Sequence, residues 1–143
     1  MKAKGPIVVI DDDPDDLYLY RNTFKKLNLE NQLLVFDNPL EALTFFRETT
    51  IPPFIIFCDI NMPLMSGLEL REAMCTTLPE CKKNAPFIFM STSVSASDIE
   101  RASLFCSHGF FQKELSYERH VTRLRNIIDY WSTCLHPECI AAW

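Results

Sequence analysis

The sequence predicts an α/β fold of the (βα)5 kind, five parallel strands each followed by a helix. Three observations point there. Short β-rich runs at residues 7–10, 32–36, 54–58, 87–90 and 109–112 alternate with amphipathic stretches along the whole chain. The runs are nearly continuous in apolar residues, as expected of parallel strands covered by helices on both faces, so that only short edge strands should alternate. The 143 residues, 48% hydrophobic and 23% charged, leave room for one core and a short appendage.

Each element has its own local signals. After the first run, Asp13 can cap a helix with Pro14 at its first position, and Leu17, Tyr20, Phe24 and Leu27 recur at helical spacing. Asn38, Pro39 and Glu41 repeat this start after the second run, with a reciprocal cap. Pro52 and Pro53 precede the third run, and Ser66 with Glu69 opens the helix after it. Pro79 and Pro86 lead into the fourth run, whose helix is expected to be capped by Ser97 with Glu100. The last helix is the clearest, with Val121, Leu124, Ile127, Ile128 and Trp131 in one stripe. These stripes are most simply core. The pattern stops at Trp131, which divides the chain into a domain over 5–131 and a tail over 132–143, too short for an output domain.

Composition narrows the function. The only glycines are Gly5, Gly67 and Gly109, so neither a G-x-G-x-x-G turn nor a G-x-x-x-x-G-K loop can be written, and glycine-rich nucleotide binding is excluded. A net charge of −5 offers no general attraction for nucleic acid or anionic membrane, and favours a cation or a basic partner. No apolar run approaches the roughly 20 residues of a membrane span. The first run ends at once in three aspartates, too early for a signal peptide, so a cytoplasmic location is expected. The six cysteines are then read as thiols acting as small hydrophobes. Cys134, His136 and Cys139 lack both a recognised zinc spacing and a fourth ligand, so a tail packed on the last helix is preferred to a metal site.

Ligands of open parallel sheets bind beyond the carboxyl ends of the strands. There the first run ends in Asp11, Asp12 and Asp13, the third in Asp59, the fourth in Ser91, Thr92 and Ser93, and the fifth in Lys113. Grouped carboxylates suit a hard divalent cation, and magnesium favours one or two carboxylates with waters and phosphate oxygens. A hydroxyl and an ammonium would complete the surroundings of a phosphoryl group, for which a carboxylate can be the nucleophile. Taken singly, each residue has an ordinary reading: Asp13 is a helix cap before Pro14, and serines form turns. Chance is a poor explanation for the whole set at the ends of the right strands.

The segments IVVIDDDPDD, FIIFCDINMPLMSGLEL, PFIFMSTS and GFFQKE resemble the receiver domain of two-component response regulators, over about residues 5 to 131. The second segment is the most specific. The resemblance implies a flavodoxin-like three-layer sandwich with strand order 2-1-3-4-5. It makes Asp59 the phosphoacceptor, taking a phosphoryl group from a sensor histidine kinase or histidine phosphotransfer protein. It implies Mg2+ held by Asp12, by Asp11 largely through water, by Asp59, and by the backbone carbonyl of Asn61. It also gives Ser91 and Lys113 the phosphoryl oxygens, and Phe110 the aromatic switch position. The implied protein is a stand-alone phosphoacceptor, not a turnover enzyme, catalysing only its own phosphoryl transfer and dephosphorylation. It would signal to a downstream protein effector as a monomer or weak homodimer, without direct nucleic-acid binding or membrane insertion.

One position departs from the pattern. The family usually has Lys-Pro with a cis peptide, whereas Glu114 follows Lys113. A non-proline cis bond costs about 2.5–4 kcal/mol, so a trans loop is expected, with a modest loss in phosphorylation rate or a changed lifetime and function retained. Two other readings remain. Asp11-Asp12-Asp13 contains the D-x-D of haloacid-dehalogenase phosphatases, with Asp11 as nucleophile, although Asp15 replaces the usual Thr or Val and no late acidic pair follows. The receiver fold can also serve as a phosphorylation-independent interaction module, against which the full set Asp11, Asp12, Asp59, Ser91 and Lys113 argues. A calcium loop is discarded, because Asp16 and Asn22 stand where glycine and glutamate are needed.

Overall fold

Side chains leave a strand alternately to its two faces, so a strand buried at every position must be covered on both. In the computed structural model, which describes residues 4–79, 82 and 84–135, this holds for β1 (Ile7–Ile10), β3 (Ile55–Asp59) and β4 (Phe87–Ser91). With β2 (Leu33–Phe36) and β5 (Gly109–Gln112) they form one parallel sheet in the order β2-β1-β3-β4-β5. The helices α1 (Pro14–Leu27), α2 (Pro39–Glu48), α3 (Gly67–Thr77), α4 (Ala96–Leu104) and α5 (Tyr117–Thr133) each follow one strand.

The period of two divides the core. Ile7 and Val9 face Leu17, Tyr20 and Phe24 of α1 and Leu124, Ile127 and Ile128 of α5. Val8 and Ile10 face Ala42 and Phe46 of α2, Leu70 and Met74 of α3, and Ala102 of α4. The three-layer sandwich with strand order 2-1-3-4-5 is therefore present. Among the described residues no helix is long and apolar enough to cross a membrane.

The edge strands do not alternate as expected. β2 is half-buried at every position, and β5 at all but the last. The reason is that helices cover both faces even at the edges. Leu34 and Phe36 pack against one cluster, Leu33 and Val35 against the other, and Phe110 and Phe111 divide in the same way. Exposure comes from the open edge, which every residue of the strand shares.

Most helix starts match their signals. Asp13 accepts from the Asp15 N–H with Pro14 in the first turn, Ser66 and Glu69 form a reciprocal capping box, and Asn38 accepts from the Leu40 N–H without the reciprocal bond expected of Glu41. The fourth helix differs. Ser95 caps it by accepting from the Asp98 N–H, so helix begins before Ser97, which sits inside the first turn. α5 likewise runs past Trp131 to Thr133. Its last turn is solvent-facing and carries no apolar signal, and the Ser132 and Thr133 hydroxyls donate back to the Asp129 carbonyl. Of the cysteines, Cys58 is buried as a small hydrophobe would be, whereas Cys106 is exposed at a φ of 55°. His136 and Cys139 lie outside the described residues, and with them the tail set with Cys134.

A polar pair sits between α1 and α5. His120 is buried, its Nδ1 lies 3.0 Å from the Thr23 hydroxyl, and its ring stands edge-on to Tyr20. Burial holds its imidazole down at about 4, against an ordinary 6.5. The unfolded chain takes up this proton near 6.5 and the folded chain resists it, so the stability that neutral His120 permits is present above that pH and lost as pH falls toward about 4. Urea denaturation across this window should show a steeper loss for wild type than for His120→Gln, and parallel curves would remove His120 from the acid response.

Candidate functional site

The strand ends bring together groups far apart in sequence. One residue past β1, the Asp11 N–H donates to the Phe36 carbonyl at 3.0 Å, extending the β1–β2 ladder. Asp59 is the last residue of β3, directly beside β1. On the other side the Lys113 N–H donates to the Ser91 carbonyl at 2.7 Å, extending the β4–β5 ladder and pinning the lysine backbone.

From that anchor the Lys113 ammonium reaches across the sheet edge. Nζ donates to Asp11 Oδ2 at 2.9 Å and to Asp16 Oδ2 at 2.6 Å, and lies 3.3 Å from Asp59 Oδ1. Asp11 Oδ1 accepts the Asp13 N–H at 3.0 Å, and Asp59 Oδ1 accepts the Ile60 N–H at 2.9 Å. Both carboxylates are nearly sealed from water.

Burial pushes the Asp11 carboxyl up to about 7, with the neighbouring Asp59 charge adding to the rise and the Asp13 N–H and Lys113 opposing it. Burial also raises Asp59, offset in part by Lys113. Burial alone would lower the lysine, but its bonds to Asp16 and Asp11 outweigh that and hold it well above its ordinary value. It is therefore a fixed cation. One oxygen from each of Asp11, Asp12 and Asp59 lies within 4.8 Å of the others. Two buried carboxylates held back from ionising, and a third half-exposed beside them, form an all-oxygen donor set that fits a hard divalent cation.

The loop after β3 is shaped by one glycine. A Cβ at Gly67 would come 2.0 Å from the Asp59 carbonyl oxygen and 3.1 Å from Cys58 Sγ, while the Gly67 N–H donates to the Ile60 carbonyl at 2.8 Å. Its φ is not positive, so the requirement is space. Leu64, earlier in the same loop, takes a φ of 72° and is largely exposed. No sequence signal marked it.

The other expected residues are less tightly gathered. Ser91 is fully buried at the end of β4, its hydroxyl donating to the Ser93 carbonyl at 2.7 Å. Asn61 is exposed in the loop two residues beyond Asp59. Phe110 is half-buried, its ring 6.0 Å from that of Phe89. The peptide between Lys113 and Glu114 is trans, as expected. Glu114 turns its charge to Arg123 at 2.7 Å, and that guanidinium lies over the Phe111 ring.

Asp16 is the residue that sequence reasoning missed. It stands three places after the Asp13 cap, where an acidic side chain is usually read as completing a cap or complementing the helix dipole. Its position in the first turn of the helix that leaves the aspartate cluster was the available signal.

The chain matches the response regulator receiver domain model over residues 7–125. Similar solved structures include the phosphorylated cyanobacterial phytochrome response regulator RcpA, with a TM-score of 0.83 at 20% identity, covering 94% of this chain and 98% of that one. The Mn2+-bound response regulator Rcp1 gives 0.78 at 19% identity, covering 93% and 97%. The receiver domain of a Pseudomonas aeruginosa sensor histidine kinase, with magnesium coordinated in its active-site cleft, gives 0.73 at 14% identity, covering 92% and 98%. At these identities the likeness is one of fold. No curated protein sequence matches the chain.

Gly67→Ala should displace the Asp59 carbonyl and lower stability by about 1–3 kcal/mol, the usual cost of overpacking. Chemical denaturation measures it, and an unchanged midpoint would show that the loop absorbs a methyl group.

Proposed function

The chain belongs to the response regulator receiver domain family, and on that premise we propose that it accepts a phosphoryl group on Asp59 with Mg2+ at the Asp11, Asp12 and Asp59 cluster. Receiver domains are phosphoacceptor signalling modules of two-component systems. The observation that carries the reading is the placement of one lysine ammonium 3.3 Å from a strand-end carboxylate inside an acidic cluster.

Asp59 Oδ1 is engaged by the Ile60 N–H and by Lys113, which leaves Oδ2 for in-line attack on phosphorus. The P–N bond of a phosphohistidine on a sensor histidine kinase or histidine phosphotransfer protein breaks as the new O–P bond forms, and the imidazole departs. Asp11, Asp12, Asp59 and the Asn61 carbonyl would hold Mg2+, which when bound would neutralise the anionic oxygens. Lys113 supplies a second positive charge from a fixed backbone position. The Ser91 hydroxyl exchanges its bond with the Ser93 carbonyl for one to a phosphoryl oxygen, and Phe110 occupies the space so released.

A phosphoryl group adds roughly −1.5 to −2 charges at this edge, enough to bias such a two-state element and alter the contacts of a downstream protein effector. Asp11 is the weaker candidate for nucleophile, because both its oxygens are already engaged. Self-catalysed dephosphorylation and a cytoplasmic location complete the proposal.

Incubation with Mg2+ and acetyl phosphate should label wild type and leave Asp59→Asn unlabelled, and equal labelling would overturn the assignment. Metal binding has its own signature. Because Asp11 is raised to about 7, the folded state is favoured by its proton at low pH and loses that advantage as pH rises through about 7. Saturating Mg2+ should therefore raise Tm more at about pH 8 than at about pH 5.5, and Asp12→Asn should reduce the gain. The same rise at both values would contradict a site built on Asp11.

A further inference from the structure

Lys113 makes its shortest contact with a residue outside the proposed phosphoacceptor set. The Asp16 carboxylate accepts from Nζ at 2.6 Å, against 2.9 Å for Asp11 and 3.3 Å for Asp59. The ammonium side chain is 12% exposed, and Asp16, at 26%, is the most solvent-facing of the three carboxylates around it. Asp16 is carried by α1, whereas Lys113 is anchored to β4 through its N–H. The pair therefore spans the site.

We propose that Asp16 is a positioning residue that retains Lys113 in the unphosphorylated protein and competes with the incoming phosphoryl oxygens for its ammonium. This rests on Asp59 being the phosphoacceptor, and it concerns the regulation of that same site. An ammonium has three protons. Two are committed to Asp11 and Asp16 by hydrogen bonds, so a strong bond to a phosphoryl oxygen displaces one of them or draws on the third, now near Asp59. Asp11 is buried and its other oxygen is fixed by the Asp13 N–H, whereas Asp16 is partly hydrated and has a lower cost of release. Asp16 is the partner given up. The device sets both the rate of phosphorylation and the lifetime of the product, because each depends on how readily Lys113 is available.

The test compares acetyl phosphate labelling and phosphoprotein decay in wild type, Asp16→Asn, Lys113→Ala and the double variant. Removing the retaining charge should raise the labelling rate and extend the half-life, each by about threefold or more, given the strength of charge-assisted hydrogen bonds. Asp16→Glu, which keeps the charge, should stay nearer wild type. In the Lys113→Ala background Asp16→Asn should change neither quantity. An equal gain in that background would overturn the proposal, since it would mean that Asp16 merely repels the anionic donor. Slower labelling of Asp16→Asn would also overturn it.

A second measurement does not depend on labelling. In isotope-labelled protein the Lys113 ammonium should show through-hydrogen-bond coupling to the Asp16 carboxylate and lose it when Mg2+ and beryllofluoride are added. Persistence of the coupling in the beryllofluoride complex would refute displacement. Failure of the underlying reading is distinguishable, because wild type would then not be labelled on Asp59 at all.

Discussion

A single ammonium group, held where three carboxylates can reach it, organises the functional edge of this molecule. Lys113 lies within 3.3 Å of Asp11, Asp16 and Asp59, which come from the end of β1, the start of α1 and the end of β3. Without that cation the cluster would hold only negative charge in a poorly hydrated place, and burial already pushes Asp11 and Asp59 up. The parallel sheet is what makes the arrangement possible. Its order sets β1 and β4 on either side of β3, so one lysine at the end of β5 can span the gap. Part of the net charge of −5 is thus gathered at one edge and only partly balanced, which is the condition for attracting a hard cation.

The scarcity of glycine shapes the chemistry. A chain with three glycines can write no glycine-rich backbone cradle for phosphate, and its strand ends carry instead a serine hydroxyl, an ammonium and a cluster of carboxylates. Gly67 is placed where no side chain fits, against the Asp59 carbonyl. Among the described residues, left-handed positions fall instead to Asn28, Leu64 and Cys106. The loop after β5 solves a related problem without proline. The Lys113 N–H on Ser91 fixes the lysine, and the Glu114 pair with Arg123 draws the adjacent anion toward α5.

Much of this was legible in the sequence. Continuous apolar runs implied strands covered on both faces, and Asp13-Pro14 and Ser66-Glu69 marked helix starts where the structure has them. Asp11, Asp12, Asp59 and Lys113 could be gathered because residues at the carboxyl ends of parallel strands share one edge. What escaped depends on tertiary geometry. Ser95 rather than Ser97 caps α4, and serines at every second position from Ser91 to Ser97 offer more than one candidate cap. The evenly half-buried edge strands follow from helices covering both faces, and α5 outlasts its apolar stripe because its final turn has nothing to bury. Asp16 is a first-turn acid of α1 with no local mark of its contact, because the lysine beside it is 97 positions away in sequence.

The claim on which the rest depends is that the reactive carboxylate is Asp59 and not Asp11. Borohydride reduces an acyl phosphate, converting the aspartate that bore it to homoserine, and peptide mass spectrometry then locates the change. After treatment with Mg2+ and acetyl phosphate, the account predicts homoserine at position 59 with Asp11 intact. Conversion at position 11 would contradict it and favour the phosphatase-like chemistry of the first strand.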